Sequence, residues 1–116
     1  MVSVLVNNMD ELIKTIRYND LLNIYSSQLS STQQEILENY FVFDLSMSEI
    51  ADNRGVSKAA VEDAIKKGVK KLDELEKELH LLEKKETLKT NIEKLKTKTN
   101  DKEILSIVEN IERILD

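Results

Sequence analysis

The fold is decided by residues 47–61, which read Met47-Ser48-Glu49-Ile50-Ala51-Asp52-Asn53-Arg54-Gly55-Val56-Ser57-Lys58-Ala59-Ala60-Val61. Two helices that cross steeply through a short turn need a small residue where their backbones approach, and Ala51 meets that need. The turn needs a residue that tolerates a positive φ, and Gly55 stands four residues later. Val61 supplies a branched side chain that faces back to the first helix. This spacing predicts a helix-turn-helix from about Ser46 to Lys71.

Start signals support the motif on both sides of the turn. Ser46 with Glu49 three residues later is typical of a capping box, and Ser57 is placed to cap the second helix. The residues expected to build the motif are Ile50, Ala51, Gly55, Val56, Ser57 and Val61. Among them Ile50, Val56 and Val61 are expected to face inward, together with Ala64. The outward face that a recognition helix presents to a major groove would carry Lys58, Ala59, Glu62, Asp63, Lys66 and Lys67.

Helical periodicity covers the rest of the chain, which contains no Pro and only two Gly. Apolar steps of three and four residues predict a first helix over 9–29, then a second, capped by Ser30 with Gln33, that ends near Asp44. The helix after Ser57 has no evident stop until about Glu83, and the run 83–86, without an apolar residue, marks the expected break. Helical pieces follow over 88–95 and 104–115. The expected architecture is all-α, with a helix-turn-helix domain over 1–83 and a helical C-terminal extension over 84–116.

Composition argues against several classes of function. Cysteine is absent, which excludes disulfides, thiolate nucleophiles and Cys-based zinc sites. A single histidine, His80, cannot make a standard zinc site, and two isolated glycines cannot form a phosphate loop. The apolar patch 2–6 lacks the features of a signal peptide, and no run is long enough for a membrane span. We therefore expect a cytoplasmic, non-catalytic protein without a metal or cofactor.

Charge is distributed unevenly around a net value of −5. Residues 1–55 hold eight acids and three bases, residues 56–71 five lysines and two acids, and residues 84–102 seven lysines and three acids. An acidic front with basic stretches is compatible with a local nucleic-acid contact, although lysine-rich helix faces are often simply solvated. The candidate nucleic-acid-binding residues are Lys58, Lys66, Lys67, Lys70 and Lys71.

A leucine seam follows the predicted recognition helix. It consists of Leu72, Leu75, Leu79 and Leu82, whose spacing alternates between three and four residues as in a coiled coil. Such a seam is normally core. Because a helix of this length extends beyond a small bundle, the seam could instead be the interface of a homodimer or of another partner.

Residues 16–83 resemble the YlxM family, small bacterial proteins similar to region 4 of sigma factors. The matching pieces are Arg17-Tyr18-Asn19, Leu21-Leu22, Leu29, Gln33, Tyr40, Asp44-Leu45-Ser46, Glu49-Ile50-Ala51, Gly55-Val56-Ser57, Ala60-Val61, Asp63, Ile65-Lys66 and Leu79-His80-Leu81-Leu82-Glu83. The resemblance implies a sigma-region-4-like bundle with a long recognition helix. It also implies a regulatory role on the signal recognition particle, through its RNA or its GTPase subunit.

The recognition helix departs from the family pattern. The family usually has Arg-Gln where Lys58 and Ala59 stand, and an aromatic residue where Glu62 stands. These changes remove groups that read bases, and Glu62 with Asp63 would face phosphates unfavourably. Three functions remain open: an accessory protein of the signal recognition particle, a duplex-DNA-binding transcription regulator of the sigma-region-4 type, and an adaptor that binds only protein helices.

Overall fold

The computed structural model describes residues 2–116, with side chains from Met9 onward. It contains six α-helices: α1 Val2–Tyr25, α2 Ser31–Leu37, α3 Met47–Arg54, α4 Lys58–Leu79, α5 Leu81–Lys98 and α6 Lys102–Leu115. A 3₁₀ turn, Ser26–Gln28, follows α1, and a π-helical segment, Glu38–Val42, continues α2. No strand occurs within residues 2–116. The prediction of an all-α helix-turn-helix bundle is confirmed.

Side-chain caps set the starts of the short helices, as the sequence predicts. The Ser30 hydroxyl accepts from the Gln33 amide, and the Ser46 hydroxyl accepts from the Glu49 amide, each with the reciprocal bond of a capping box. The Ser57 hydroxyl accepts from the amide of Ala60 at the start of α4. These bonds satisfy backbone donors that a helix start leaves free, so these three helix starts are encoded locally.

The chain divides into two compact units, residues 1–79 and residues 80–116. In the first unit, α4 packs against α1, α2 and α3, and the π-helical segment packs on α1. Its buried apolar residues are Leu21, Leu22, Tyr25, Leu29, Ile36, Leu37, Phe41, Ile50, Ala51, Val61, Ile65 and Leu72. This core fixes the helix-turn-helix in place.

The second unit is a hairpin of α5 and α6. Lys96 pairs with Glu112, and Lys89 pairs with Asp116 at 3.1 Å, so the two helices run antiparallel. The hydrogen bond and the negative charge of Glu112 raise the pKa of Lys96. Only Leu82, Ile92 and Val108 are buried among the residues that the structure describes in this hairpin.

Several predicted helix boundaries are wrong. The first helix ends at Tyr25 rather than at residue 29, because a 3₁₀ turn follows it. The long helix ends at Leu79 rather than near Glu83, since His80 adopts a left-handed conformation with φ of 54°. The run 83–86, expected to be a break, lies inside α5, where charged residues are simply exposed helix surface.

The apolar patch 2–6 lies outside the residues whose side chains are described. In the described part of the chain, no helix combines the length and the apolarity needed to cross a membrane.

Candidate nucleic-acid interface

The turn of the helix-turn-helix is closed by backbone bonds around Gly55. Gly55 has φ of 67° and ψ of 34°, the left-handed conformation that glycine adopts most readily. The Val56 amide donates to the Ala51 carbonyl at 3.1 Å, and the Gly55 amide donates to the Asp52 carbonyl at 3.3 Å. This pair of bonds is a Schellman motif, which satisfies the last carbonyls of α3 and turns the chain towards α4.

The residues predicted to build the motif include both buried and exposed side chains. Ile50 and Val61 are fully buried and Ala51 is nearly so, and these three predictions of inward-facing residues agree with the structure. Ala64 is half-buried. The prediction for Val56 is wrong, because its side chain is 46 % exposed. The Schellman motif uses the amide of Val56 and turns its side chain away from the core.

Arg54 joins α3 to α2. Its guanidinium donates to Glu35 Oε2 at 2.9 Å, while the side chain is half-buried. An arginine side chain can pack its aliphatic stem and keep its charge in a polar setting. This ion pair therefore explains how the half-buried position accommodates a charged side chain.

Two tyrosines tie α4 to α1. The Tyr25 hydroxyl donates to Glu76 Oε1 at 2.7 Å in the core, and the Tyr18 hydroxyl donates to Asp73 Oδ2 at 3.1 Å nearer the surface. Burial, and then the negative charge of Asp73, raise the pKa of Tyr18. No local pattern predicts these two pairs, because the hydrogen-bond partners are more than 50 positions apart.

Gly68 is a second structural residue that sequence reasoning did not single out. A Cβ at this position would lie 2.5 Å from Leu37 Cδ1 and 3.1 Å from Leu37 Cγ. The glycine therefore marks the close approach of α4 to α2. A glycine inside a helix usually costs stability, and this cost was the one available signal for its role.

The outward face of α4 carries four of the five candidate lysines. At 100° per residue, Lys66, Lys67, Lys70 and Lys71 spread over the side opposite the buried residues Val61, Ile65, Gly68 and Leu72. Lys58 is exposed in the first turn but faces away from the middle of this lysine side. The helix thus brings together Lys66, Lys67, Lys70 and Lys71, called here the lysine quartet, without Lys58.

Two members of the lysine quartet are neutralised within the helix. Lys66 pairs with Glu62 at 3.2 Å, and Lys67 pairs with Asp63 at 2.9 Å, in i,i+4 ion pairs at the surface. Lys70 and Lys71 make no ion pair with any residue that the structure describes. Over residues 46–67 four acids balance four bases, and Lys70 and Lys71 then bring the segment 46–71 to a net charge of +2. Besides Lys58 in the first turn, the α4 lysines that pair with no described residue begin at Lys70, one turn after Lys66 and Lys67.

The leucine seam is not a continuous stripe. Leu72 is fully buried in the first unit, Leu75 is half-buried and Leu79 is 45 % exposed. Leu82 belongs to the second unit, beyond the break at His80. His80 itself is exposed, and its Nδ1 lies 3.1 Å from Glu83 Oε2.

Comparison with known proteins agrees with this geometry. Residues 12–112 match the family UPF0122, described as "Putative helix-turn-helix protein, YlxM / p13 like". The chain is 44 % identical over 97 residues to a UPF0122 protein of Mycoplasma capricolum, covering 84 % of each chain. It is 41 % identical to UPF0122 protein FN1394 of Fusobacterium nucleatum, covering 79 % of this chain and 89 % of that protein.

UPF0122 protein YlxM of Bacillus subtilis is 36 % identical over 105 residues, covering 87 % of this chain and 96 % of that protein. The match includes the turn at Gly55, α4 and most of the helical hairpin. This chain therefore belongs to the UPF0122 family of YlxM/p13-like helix-turn-helix proteins.

Proposed function

We propose that this protein is a non-catalytic, cytoplasmic accessory protein of the signal recognition particle pathway that binds structured RNA through α4. The observation that carries the proposal is the order of charges along the helix. Glu62 and Asp63 occupy the N-terminal half, while Lys70 and Lys71, about two turns later, pair with no residue that the structure describes. The resemblance to the YlxM family supports the choice of pathway. The proposed partners are the RNA and the GTPase subunit of the signal recognition particle.

The position of the acids favours RNA over duplex DNA. A recognition helix enters the major groove with its N-terminal residues, so Glu62 and Asp63 would be pressed against a polyanion. Lysine neutralises phosphate as a point charge and carries little sequence information. The lysine quartet therefore suits contacts to the phosphate backbone of an RNA. In a ribonucleoprotein, a protein partner would add to the affinity of these contacts.

The first experiment measures binding by fluorescence anisotropy over a salt series, with the particle's RNA and with an unrelated duplex DNA. Replacing the lysine quartet by Ala should weaken RNA binding, and each lost phosphate contact should lower the log–log salt slope by about 0.7–0.9. The control replaces four exposed lysines elsewhere, Lys14, Lys84, Lys98 and Lys102, and should leave the slope nearly unchanged.

The second experiment tests the role of the acids. Glu62→Tyr with Asp63→Asn should raise affinity for duplex DNA, because both changes remove negative charge from the N-terminal half of the recognition helix. A conservative control, Glu62→Asp with Asp63→Glu, keeps the charge and should not raise it. Sequence-specific nanomolar binding of the unaltered protein to a duplex would overturn the proposal in favour of a transcription regulator.

A third experiment identifies the partner. The tagged protein and its lysine-quartet variant are recovered from their own cytoplasm, and bound RNA and protein are both scored. Recovery of the particle's RNA by the unaltered protein alone supports the proposal. Recovery of protein helices without RNA by both forms would indicate a protein-only adaptor.

A further inference from the structure

The helical hairpin leaves most of its large aliphatic side chains exposed. In α5 these are Leu81, Leu88 and Leu95, and in α6 they are Ile104, Ile107, Ile111 and Ile114. Their exposed fractions range from 39 % at Ile111 to 84 % at Ile114. Isolated exposed aliphatic residues are normal, but a contiguous group of this size marks an interaction surface.

The seven side chains share one side of the hairpin. In α6, the isoleucines lie about 40–120° around the axis from Val108, all in the same sense, and Val108 faces α5. In α5, the leucines recur every seven residues and are rotated in the same sense from Ile92, which faces α6. Because the helices run antiparallel, rotations of the same sense bring both stripes to the same side. We call this surface the hairpin face.

The hairpin buries few apolar side chains of its own. It spans residues 80–116 and buries three apolar side chains, whereas seven lie on the hairpin face. Units below about 40 residues usually need a disulfide, a metal or a partner to be stable. This chain has no cysteine. A partner on the hairpin face would supply the missing apolar burial.

We propose that the hairpin face binds the hairpin face of a second copy of this chain, which forms an antiparallel four-helix bundle. Charge complementarity identifies the occupant. α5 holds six lysines and three glutamates, whereas α6 with its capping residues Asp101 and Asp116 holds five acids and two bases. A two-fold axis parallel to the helices places the basic α5 of one copy on the acidic α6 of the other.

This interface differs from the surface that the leucine seam suggests. Leu72 is fully buried in the first unit and cannot contribute to a dimer without unfolding. The hairpin face uses residues that are exposed in the intact chain. It is independent of the lysine quartet, so nucleic-acid binding can fail while this inference stands.

The test is sedimentation equilibrium of the full chain across micromolar concentrations. Ile107→Glu with Ile111→Glu places two charges on the hairpin face and should weaken self-association at least about 100-fold. The matched control, Ile13→Glu with Ile16→Glu, changes two equally exposed isoleucines on α1 and should leave the association constant unchanged. This combination of results supports the hairpin face as the interface.

Other outcomes overturn the inference in distinguishable ways. If the unaltered protein is monomeric at every concentration, both the dimer and the proposed interface are refuted. A dimer that survives the α6 substitutions, or that only the α1 substitutions disrupt, refutes the hairpin face and leaves a dimer with another interface. If the Glu variant loses helicity, Ile107→Ala with Ile111→Ala decides, since Ala favours helix and should still weaken association at least about 10-fold.

Discussion

At the scale of single residues, Gly55 shows how backbone conformation alone can fix a residue type. Among the described residues, no atom beyond the glycine and its chain neighbours lies within 4 Å of the position that a Cβ would occupy, so a side chain meets no steric obstacle there. The left-handed φ remains unfavourable for other residues by about 1–2 kcal/mol, and least for Asn or Asp. We expect Gly55→Ala to lower the free energy of unfolding by about 1 kcal/mol in urea titrations.

Gly55→Asn is the matched comparison, because Asn tolerates the left-handed region better than Ala does. Gly55→Asn should lower the free energy of unfolding clearly less than Gly55→Ala does. Equal losses for both variants would indicate that the substitution acts through contacts rather than through φ.

Tyr18 gives the first unit a dependence on alkaline pH. Its pKa lies above 10.0 because of burial and the neighbouring Asp73. A raised pKa in the folded state means that the neutral phenol contributes stability below pH 10, and that this contribution is lost as the pH rises through the folded value. Tyr18→Phe should therefore show a smaller fall in melting temperature above pH 10 than the unaltered protein does.

The same substitution has an expected cost at neutral pH. Removing the hydrogen bond to Asp73 should lower stability by about 0.5–1.5 kcal/mol at pH 7. Tyr40→Phe serves as the control for alkaline effects of tyrosine in general. Identical alkaline melting of the Tyr18→Phe variant and the unaltered protein would contradict the assignment.

Residues also differ in how far the sequence reveals their role. Ser46 and Gly55 were predictable because a cap and a left-handed turn depend on neighbours within four residues. Val56 was not, because the direction of a side chain after a left-handed turn depends on how the following helix packs. Tyr18 and Tyr25 find partners on α4, more than 50 residues away, and no local pattern indicates such a pair.

At the scale of elements, the crossing of α3 and α4 depends on Ala51. This residue is 4 % exposed, and its carbonyl accepts from the Val56 amide in the turn. Ala51→Leu should lower stability by about 1–3 kcal/mol, since three added carbon atoms have no space in the packed core. Thermal unfolding followed by circular dichroism measures the loss. Ala59→Leu, on the exposed side of α4, is the control and should change the midpoint little.

The packing of α4 on α2 depends on Gly68 in a way that a double substitution can isolate. Gly68→Ala adds about 1 kcal/mol of helix propensity. Its Cβ would nevertheless overlap Leu37, which is fully buried and cannot swing into solvent, so we expect a net loss of stability. In a Leu37→Ala background the overlap disappears, and the same Gly68→Ala change should become stabilising. A stabilising effect in both backgrounds would contradict the close approach.

The end of α4 shows where periodicity stops being informative. The apolar steps of Leu72, Leu75, Leu79 and Leu82 continue across His80, and no glycine or proline interrupts them. Histidine visits the left-handed region more readily than branched residues do, yet its presence predicts no break. The all-α class and the motif follow from local signals, whereas this break depends on where the core of the first unit ends.

At the scale of the whole molecule, the division into two units follows from where apolar residues are buried. The first unit has a core shared by four helices, whereas the hairpin buries three apolar residues. We propose two domains, close to the 1–83 and 84–116 division expected from sequence, with the boundary at Leu79 and His80 as the compact units have it. Binding and assembly would then belong to different domains.

The first unit can be prepared as a separate fragment of residues 1–79. Because its core is contained in that range, the fragment should remain helical and unfold cooperatively on heating. It should be monomeric where the full chain self-associates, since it lacks the hairpin face. It keeps the lysine quartet, so its RNA affinity should fall only by the contribution of a second copy. A fragment that melts without cooperativity would show that the first unit depends on the hairpin, and one that still dimerises would place the interface on the helix-turn-helix domain.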